Sequence, residues 1–169
     1  MGCNCNSCPY SVGGKPKDFL LPERKQQPVG LLVLGSGPTP EDIQRQDPLT
    51  GNMGKELLAT FDEAGIKRET IQIVHAYACT PTKLRKDKDE RAAVTACRPL
   101  LLSALKHLDP ATPTMLAGKW ATLALLGKEK GLFDSRGFTD RKWSLQQIAT
   151  DHDLKKAAPE EEPKEDSES

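Results

Sequence analysis

The chain has 169 residues, of which 37% are hydrophobic and 5% aromatic, with 24 basic and 24 acidic side chains. This length fits one domain with a sizeable core and excludes two ordinary domains. No apolar run approaches the roughly eighteen residues that a membrane span needs. The charge is uneven, because residues 159–169 carry a net charge of −5 and residues 1–158 a net charge of +5. A mildly basic body is compatible with a polyanionic partner, although such a small excess more often marks a solvated surface of mixed charge.

The first half of the chain predicts two strands with a helix between them. Residues 1–27 form an arm rich in Gly, Pro and Lys that lacks hydrophobic periodicity. An apolar run at residues 29–34 predicts a buried strand, and the Gly-Ser-Gly-Pro sequence at residues 35–38 predicts a tight loop after it. Apolar residues at helical spacing in residues 57–64 predict a helix closed by a glycine. A second strand is predicted at residues 71–77.

The second half continues the alternation of strands and helices. A long helix is predicted at residues 89–107, with Cys97 on its apolar face and a kink at Pro99. A short third strand at residues 114–117 and a compact apolar helix at residues 120–126 follow. This order predicts an α/β fold with an open parallel sheet and helices on both faces.

The predicted domain covers residues 28–156 and includes a fourth strand at residues 143–149. Residues 157–169 are rich in Glu, Pro and Ser and bury too little apolar surface to fold, so we expect a disordered acidic tail whose partner is unknown. Open parallel sheets bind ligands at the carboxyl ends of their strands. The loops after the first three strands are therefore the candidate sites.

Four cysteines stand in two separated places, Cys5 with Cys8 in the arm and Cys79 with Cys97 in the body. Thiolates are ligands of zinc and of iron-sulfur clusters, and the spacing of the first pair lets both sulfurs reach one metal centre. We interpret the four as one metal site that joins the arm to the body. An iron-sulfur cluster, a zinc ion and unligated thiols all remain open. Cys3 is a fifth cysteine that could replace Cys5 in the short pair.

The N-terminus carries no targeting pattern that we can identify. The first twenty residues lack a basic segment followed by an apolar core, so we expect no secretory signal and no disulfide framework. The myristoylation pattern requires Ser or Thr at position 6, where this chain has Asn6, so we expect no membrane anchor. We expect a monomer in the cytoplasm.

Five segments between about Val29 and Gly137 carry a family resemblance: LLVLGSGPTPED, DPLTGNMGKELLATFDEAGI, IQIVHAYACTP, the sequence Ala96-Cys97-Arg98-Pro99, and MLAGKWATLALLG. Together they resemble the iron-sulfur class (family four) of uracil-DNA glycosylases of prokaryotes and phages. The resemblance implies a three-layer sandwich of the uracil-DNA glycosylase type. It also implies DNA as the partner, uracil-containing or single-stranded, and the host cytoplasm as the location of a phage-encoded chain.

The resemblance implies that Cys5, Cys8, Cys79 and Cys97 hold a structural 4Fe-4S cluster, with zinc as the alternative. The cluster would support the loop between the last two of these cysteines. Five cations there are candidates for contacts with DNA phosphates: Lys83, Arg85, Lys86, Lys88 and Arg91. Acidic residues are interleaved with them, so a solvated charged loop is the competing interpretation.

The pocket departs from the family pattern. The acidic residue that positions water or stabilises the sugar cation corresponds to Ser36, and the phenylalanine that stacks on uracil corresponds to Leu49. The asparagine that contacts the edge of uracil corresponds to His75. A neutral histidine cannot reproduce a two-point amide contact, although a protonated imidazole could contact a carbonyl oxygen. Gly35 and Gly37 would bring the loop backbone close to the base.

The family's His-Pro-Ser motif, whose histidine stabilises the departing uracil anion, is missing from the chain. His152 is the candidate for that role, with a surface histidine as the alternative. Two hypotheses result. The chain is either a uracil-DNA glycosylase-like protein that hydrolyses the bond between uracil and deoxyribose, or a non-catalytic DNA-binding or accessory protein on the same scaffold.

Overall fold

The computed structural model of the chain describes residues 3–26, 28–81 and 85–127. Three parallel strands form its sheet in the spatial order β2-β1-β3, where β1 is Leu31–Gly35, β2 is Ile71–His75 and β3 is Thr114–Leu116. In the register of the sheet, Val33 lies opposite Ile73 and Met115. Each strand coincides with a predicted strand to within two residues at either end. Continuous apolar runs predict such strands well, because a strand in the centre of a parallel sheet is buried on both faces.

Four α-helices connect or follow the strands: α1 (Pro40–Arg45), α2 (Asn52–Glu63), α3 (Asp87–Leu105) and α4 (Lys119–Leu126). The first two lie between β1 and β2, and α3 lies between β2 and β3, because parallel strands need a crossover connection. The helix predicted at residues 89–107 begins two residues earlier than expected and continues past Pro99.

The sequence analysis did not predict α1, which is only six residues long. A capping box begins it, because the Thr39 side chain accepts from the Asp42 amide while the Asp42 carboxylate accepts from the Thr39 amide. Pro40 stands at the first helical position, where its missing amide proton is not needed. The local signal was therefore present in the sequence, although no apolar period accompanied it.

The two faces of the sheet bury separate apolar clusters. Leu32 and Leu34 point to the larger cluster, which packs against α3 and α4. Val33 points to the opposite face, where it packs with Phe61 of α2 and Ile73 of β2. Helices thus cover both faces, which confirms the predicted three-layer α/β sandwich.

The N-terminal arm packs on the body of the fold. Cys8 and Tyr10 are buried in the larger cluster. The Asn4 amide donates to the Ala96 carbonyl oxygen of α3 at 2.8 Å, and the Leu20 amide donates to the Ala78 carbonyl oxygen at 2.9 Å. Among the described residues, every helix is too short or too polar to cross a bilayer.

Candidate functional site

The loops after β1 and β2 meet at one edge of the sheet. Gly35 and His75 are the last residues of their strands and are register partners. A Cβ placed on Gly35 would lie 3.8 Å from the His75 Nδ1, so the imidazole packs against the end of β1. The structure therefore places two predicted base-binding residues side by side.

His75 is almost completely enclosed, with 7% of its side chain exposed. Burial lowers the pKa of His75 to about 4, and the nearby Asp42 carboxylate opposes this shift only in part. The imidazole is therefore neutral at pH 7. A protonated imidazole that contacts a base carbonyl oxygen would have to overcome the cost of desolvating its charge, so the folded chain favours the neutral form for any such contact.

Asp42 is the functional candidate that sequence reasoning missed. Its carboxylate is 2% exposed and lies 3.9 Å from the His75 Nε2, which is too far for a hydrogen bond. It accepts hydrogen bonds from the Thr50 amide at 2.7 Å, the Thr50 hydroxyl at 2.8 Å and the Thr39 amide at 3.1 Å. Burial alone would raise the pKa of Asp42, but these hydrogen bonds outweigh it and lower the pKa. A buried carboxylate therefore stays ionised beside a neutral histidine.

Leu49, the predicted apolar wall, precedes Thr50 and has a left-handed backbone with φ +58°. This conformation is costly for a leucine. The helix α2 approaches so closely that a Cβ on Gly54 would lie 2.5 Å from the Leu49 Cα. The Leu49 side chain is half-buried against the smaller apolar cluster. Its position is thus set by packing on both sides.

Ser36, at the position of the family's acidic residue, is turned towards the loop after β3. Its hydroxyl donates to the Ala117 carbonyl oxygen at 3.4 Å. A Cβ on Gly118 would lie 3.0 Å from the Ser36 Oγ, so the two loops approach closely. The structure joins the loops after β1 and β3 through this serine.

Tyr77 connects the pocket loop to the predicted DNA-binding loop. A Cβ on Gly37 would fall 2.2 Å from the Tyr77 ring, so only glycine admits the ring at this position. The Tyr77 hydroxyl donates to Glu90 at 3.0 Å and accepts from Arg85 at 3.1 Å. Tyr10 of the arm meets the same ring edge-on, with 5.4 Å between the ring centroids. One side chain thus contacts the loop, the arm and α3.

The predicted phosphate contacts fall into two groups, and Lys83 lies outside the described residues. Arg85 bonds inward to Tyr77, and the Arg91 guanidinium lies 5.8 Å from the centre of the Trp120 ring. Lys86 and Lys88 are exposed at the start of α3. The Arg85 side chain is also 42% exposed, so three of the described candidates face solvent.

The five cysteines of the chain lie near one another. Burial is the main reason that the pKa values of Cys5, Cys8, Cys79 and Cys97 are raised, to about 12 for Cys5 and for Cys97, and the neighbouring thiols add to the effect. The Cys3 Sγ lies 2.8 Å from the Cys5 Sγ. Among residues 3–26, 28–81 and 85–127, no three Cys, His, Asp or Glu side chains are arranged to hold a metal ion.

Backbone amides surround three of the thiols. Those of Tyr10 and Ser11 donate to Cys8, that of Lys17 to Cys79 and that of Ala78 to Cys97, and each bond lowers the pKa of its thiol. Amides directed at sulfur favour the thiolate, the form that binds metals. The cysteines are thus suited in chemistry to a thiolate-bound metal centre, although burial leaves the pKa of each thiol above its ordinary value.

Besides Lys83, three predictions fall outside the part of the chain that the structure describes. They are His152 as the leaving-group residue, the fourth strand at residues 143–149 and the disordered tail at residues 157–169.

Comparison with known proteins agrees with the resemblance drawn from the sequence. A family model described as the uracil DNA glycosylase superfamily matches residues 24–157. The type-4 uracil-DNA glycosylase of Thermotoga maritima is 27% identical to the chain over 133 residues, which cover 79% of this chain and 67% of that protein. The family-model match includes β1, β2, Cys79 and Cys97.

Proposed function

Since the chain belongs to the uracil DNA glycosylase superfamily, we propose that it binds DNA and excises uracil by hydrolysing the N-glycosidic bond. The bond between the sugar C1′ and the base nitrogen breaks with its electron pair on the base. A water oxygen then adds to C1′, and its proton goes to the departing base. The product is an abasic site.

The observation that carries this proposal is that His75, at the carboxyl end of β2, lies beside Asp42, which bonds to Thr50, the residue after Leu49. A flipped base must be held at its edge and against an apolar face. The neutral His75 offers one donor and one acceptor to the base edge, and Leu49 offers an apolar wall. Asp42 acts on His75 rather than on the base, because its oxygens are occupied by Thr39 and Thr50.

Four further roles rest on the family resemblance. Ser36 would orient the attacking water, and Gly35 and Gly37 would let the backbone approach the base. His152 would stabilise the negative charge on the departing uracil. Lys86 and Lys88 would contact phosphates, with Lys83, Arg85 and Arg91 contributing positive charge around them.

We propose that a 4Fe-4S cluster bound by Cys5, Cys8, Cys79 and Cys97 supports this scaffold, with zinc as the alternative. The amide donors around three of the thiols support the assignment. When bound, the cluster would supply a covalent link between the arm and α3 rather than a step of the reaction. Protein purified without oxygen should carry about four irons per chain, whereas zinc without iron would contradict the cluster.

The experiment for excision uses a labelled single-stranded oligonucleotide that contains one uracil, with thymine at that position in the control. After incubation with the protein, alkali cleaves the strand wherever the base has been removed. A His75→Asn, Leu49→Phe double variant, which restores two family residues at the pocket, is assayed in parallel. Cleavage of the uracil strand alone by the unmodified chain supports the proposal. Uracil left intact at enzyme excess contradicts it.

A non-catalytic DNA-binding protein is the second candidate, and the enclosure of His75 favours it. Only 7% of the His75 side chain is exposed, so little of its edge is open to a base. The Ser36 hydroxyl is also directed at the Ala117 carbonyl oxygen. This candidate requires DNA binding that weakens steeply with salt while no uracil is released. Cleavage by the double variant alone would identify these two substitutions as the cause of lost activity.

A further inference from the structure

The fifth cysteine lies against one member of the proposed ligand set. The Cys3 Sγ is 2.8 Å from the Cys5 Sγ, and both residues are half-exposed. The other three thiols, those of Cys8, Cys79 and Cys97, are buried. The arm thus presents two accessible sulfurs beside three enclosed ones.

Two sulfurs at this separation cannot both be ligands of one metal centre. In a tetrahedral site with metal–sulfur bonds of about 2.3 Å, ligand sulfurs lie about 3.8 Å apart. In a 4Fe-4S cluster each cysteine binds a different iron, which places the sulfurs further apart still. Cys3 and Cys5 therefore compete for a single coordination position.

Both competitors lie beside the same neighbours. Cys3 packs against the larger apolar cluster, which contains Cys8, Cys79 and Cys97, and Cys5 is in contact with Cys3. Between the two cysteines, the Asn4 amide is fixed to the carbonyl oxygen of Ala96, the residue before Cys97. This bond holds the arm beside α3 whichever of the two sulfurs is used.

We propose that Cys3 and Cys5 are interchangeable ligands for one coordination position, while Cys8, Cys79 and Cys97 supply the other three. The inference rests on the proposed cluster. In the exchange, a bond from the Cys3 sulfur to iron forms as the bond from the Cys5 sulfur breaks, and the Cys3 thiol proton passes to Cys5. The exchange needs no oxidant or reductant.

The first experiment compares iron content in the full chain and in four variants loaded without oxygen. The variants are Cys3→Ala, Cys5→Ala, the double variant Cys3→Ala, Cys5→Ala, and Cys8→Ala as the fixed-ligand control. Each single variant at position 3 or 5 should keep the iron content of the unmodified chain. The double variant should lose at least the fourth iron and show the electron paramagnetic resonance signal of a three-iron cluster, and Cys8→Ala should also lose iron.

The outcomes separate this inference from the cluster assignment. An unmodified chain that binds no iron overturns both. An unmodified chain with about four irons, together with a Cys5→Ala variant depleted as far as the double variant, overturns the exchange alone. A double variant with full iron content overturns it as well.

A second measurement needs no substitution. Brief alkylation of the loaded chain, followed by fragmentation in a mass spectrometer, shows which arm thiols are unligated. We expect one label per chain, divided between Cys3 and Cys5 within threefold of equal. More than 90% of the label on Cys3 would mean that Cys5 is the fixed ligand, and the exchange would be rejected.

Discussion

The cysteine region and the pocket are stabilised in different ways. The cysteine region is joined by contacts between distant parts of the chain, such as the bond from the Asn4 amide to Ala96 and the burial of Tyr10 against Tyr77. The pocket depends on one buried carboxylate, Asp42, which organises the cap of α1 and the residue Thr50. The first region has several supports, and the second depends on a single side chain.

The two regions also differ in how they match their family. The chain has the four cysteines that the resemblance requires, and Cys3 is a fifth. By the resemblance, the pocket would have Ser36, Leu49 and His75 in place of acidic, aromatic and amide side chains. Single substitutions should therefore lower the free energy of unfolding most in the pocket. Loss of the Tyr77 hydroxyl should lower it less, because several other contacts hold that side chain.

Asp42→Asn should give the largest effect. An amide group keeps only one acceptor oxygen, so at least one of the buried donors from Thr39 and Thr50 loses its partner. The expected loss is about 3 kcal/mol in the free energy of unfolding at pH 7, because hydrogen bonds to a charged group are strong and a buried donor without a partner is costly. Urea denaturation measures it. Glu41→Gln, in the same helical turn but exposed, is the matched control and should change stability little.

The sign of the pH dependence follows from the lowered pKa of Asp42. The ionised Asp42 contributes fully to the free energy of unfolding above the pKa of aspartate in the unfolded chain, about 3.9. This contribution is lost as the pH falls through the lower pKa of Asp42 in the folded chain. The difference in the free energy of unfolding between the unmodified chain and Asp42→Asn should therefore become smaller only below about pH 4. A difference that is already absent at pH 7 would mean that Asp42 does not organise the pocket.

Gly37→Ala should destabilise the chain by about 2 kcal/mol, because the new Cβ would overlap the Tyr77 ring. The ring cannot move freely, since Arg85 and Glu90 hold its hydroxyl. Gly30→Ala is the control, because a Cβ there would meet Thr70 at an ordinary contact distance of 3.6 Å. Equal thermal denaturation midpoints for the two variants would show that the loop adapts without cost.

His75 should make the folded chain less stable as the pH falls from about 6.5 towards 4. The folded pKa of His75 is about 4 and the unfolded value is 6.5. Between these values only the unfolded state binds the proton, so stability is complete above the unfolded pKa and declines below it. The loss between pH 7 and pH 5 is about 2 kcal/mol. A His75→Asn variant should lack this part of the pH dependence in denaturation measured at both pH values.

The three described strands and the three longer helices could be read from the sequence, because apolar periodicity reports them directly. The role of Asp42 could not. Its place in a capping box is local information, whereas its bonds to Thr50 and its proximity to His75 depend on how α1 packs against the end of β2.

Other details of the pocket also arise only from packing. The left-handed backbone of Leu49 follows from the close approach of Gly54. The neutrality of His75 follows from its burial, which no pattern in β2 specified. The bond from Arg85 to the Tyr77 hydroxyl likewise arises from packing, although sequence composition alone placed this exposed residue among candidate phosphate contacts.

The smallest expected effect is that of Tyr77→Phe, at the junction of the two regions. The ring would keep its contacts with Gly37 and Tyr10, and only the hydroxyl between Arg85 and Glu90 would be lost. We expect a loss of about 1 kcal/mol in the free energy of unfolding, the usual net value of a hydrogen bond. Iron content should not change, because no cysteine contacts depend on that hydroxyl.

Tyr10→Phe is the matched control for Tyr77→Phe. The Tyr10 hydroxyl is buried and has no hydrogen-bond partner among the described residues, so its removal should be neutral or stabilising. Both variants are compared by urea denaturation. If Tyr10→Phe costs as much as Tyr77→Phe, the bonds to Arg85 and Glu90 add nothing specific, and the link between the pocket and the arm rests on apolar packing alone.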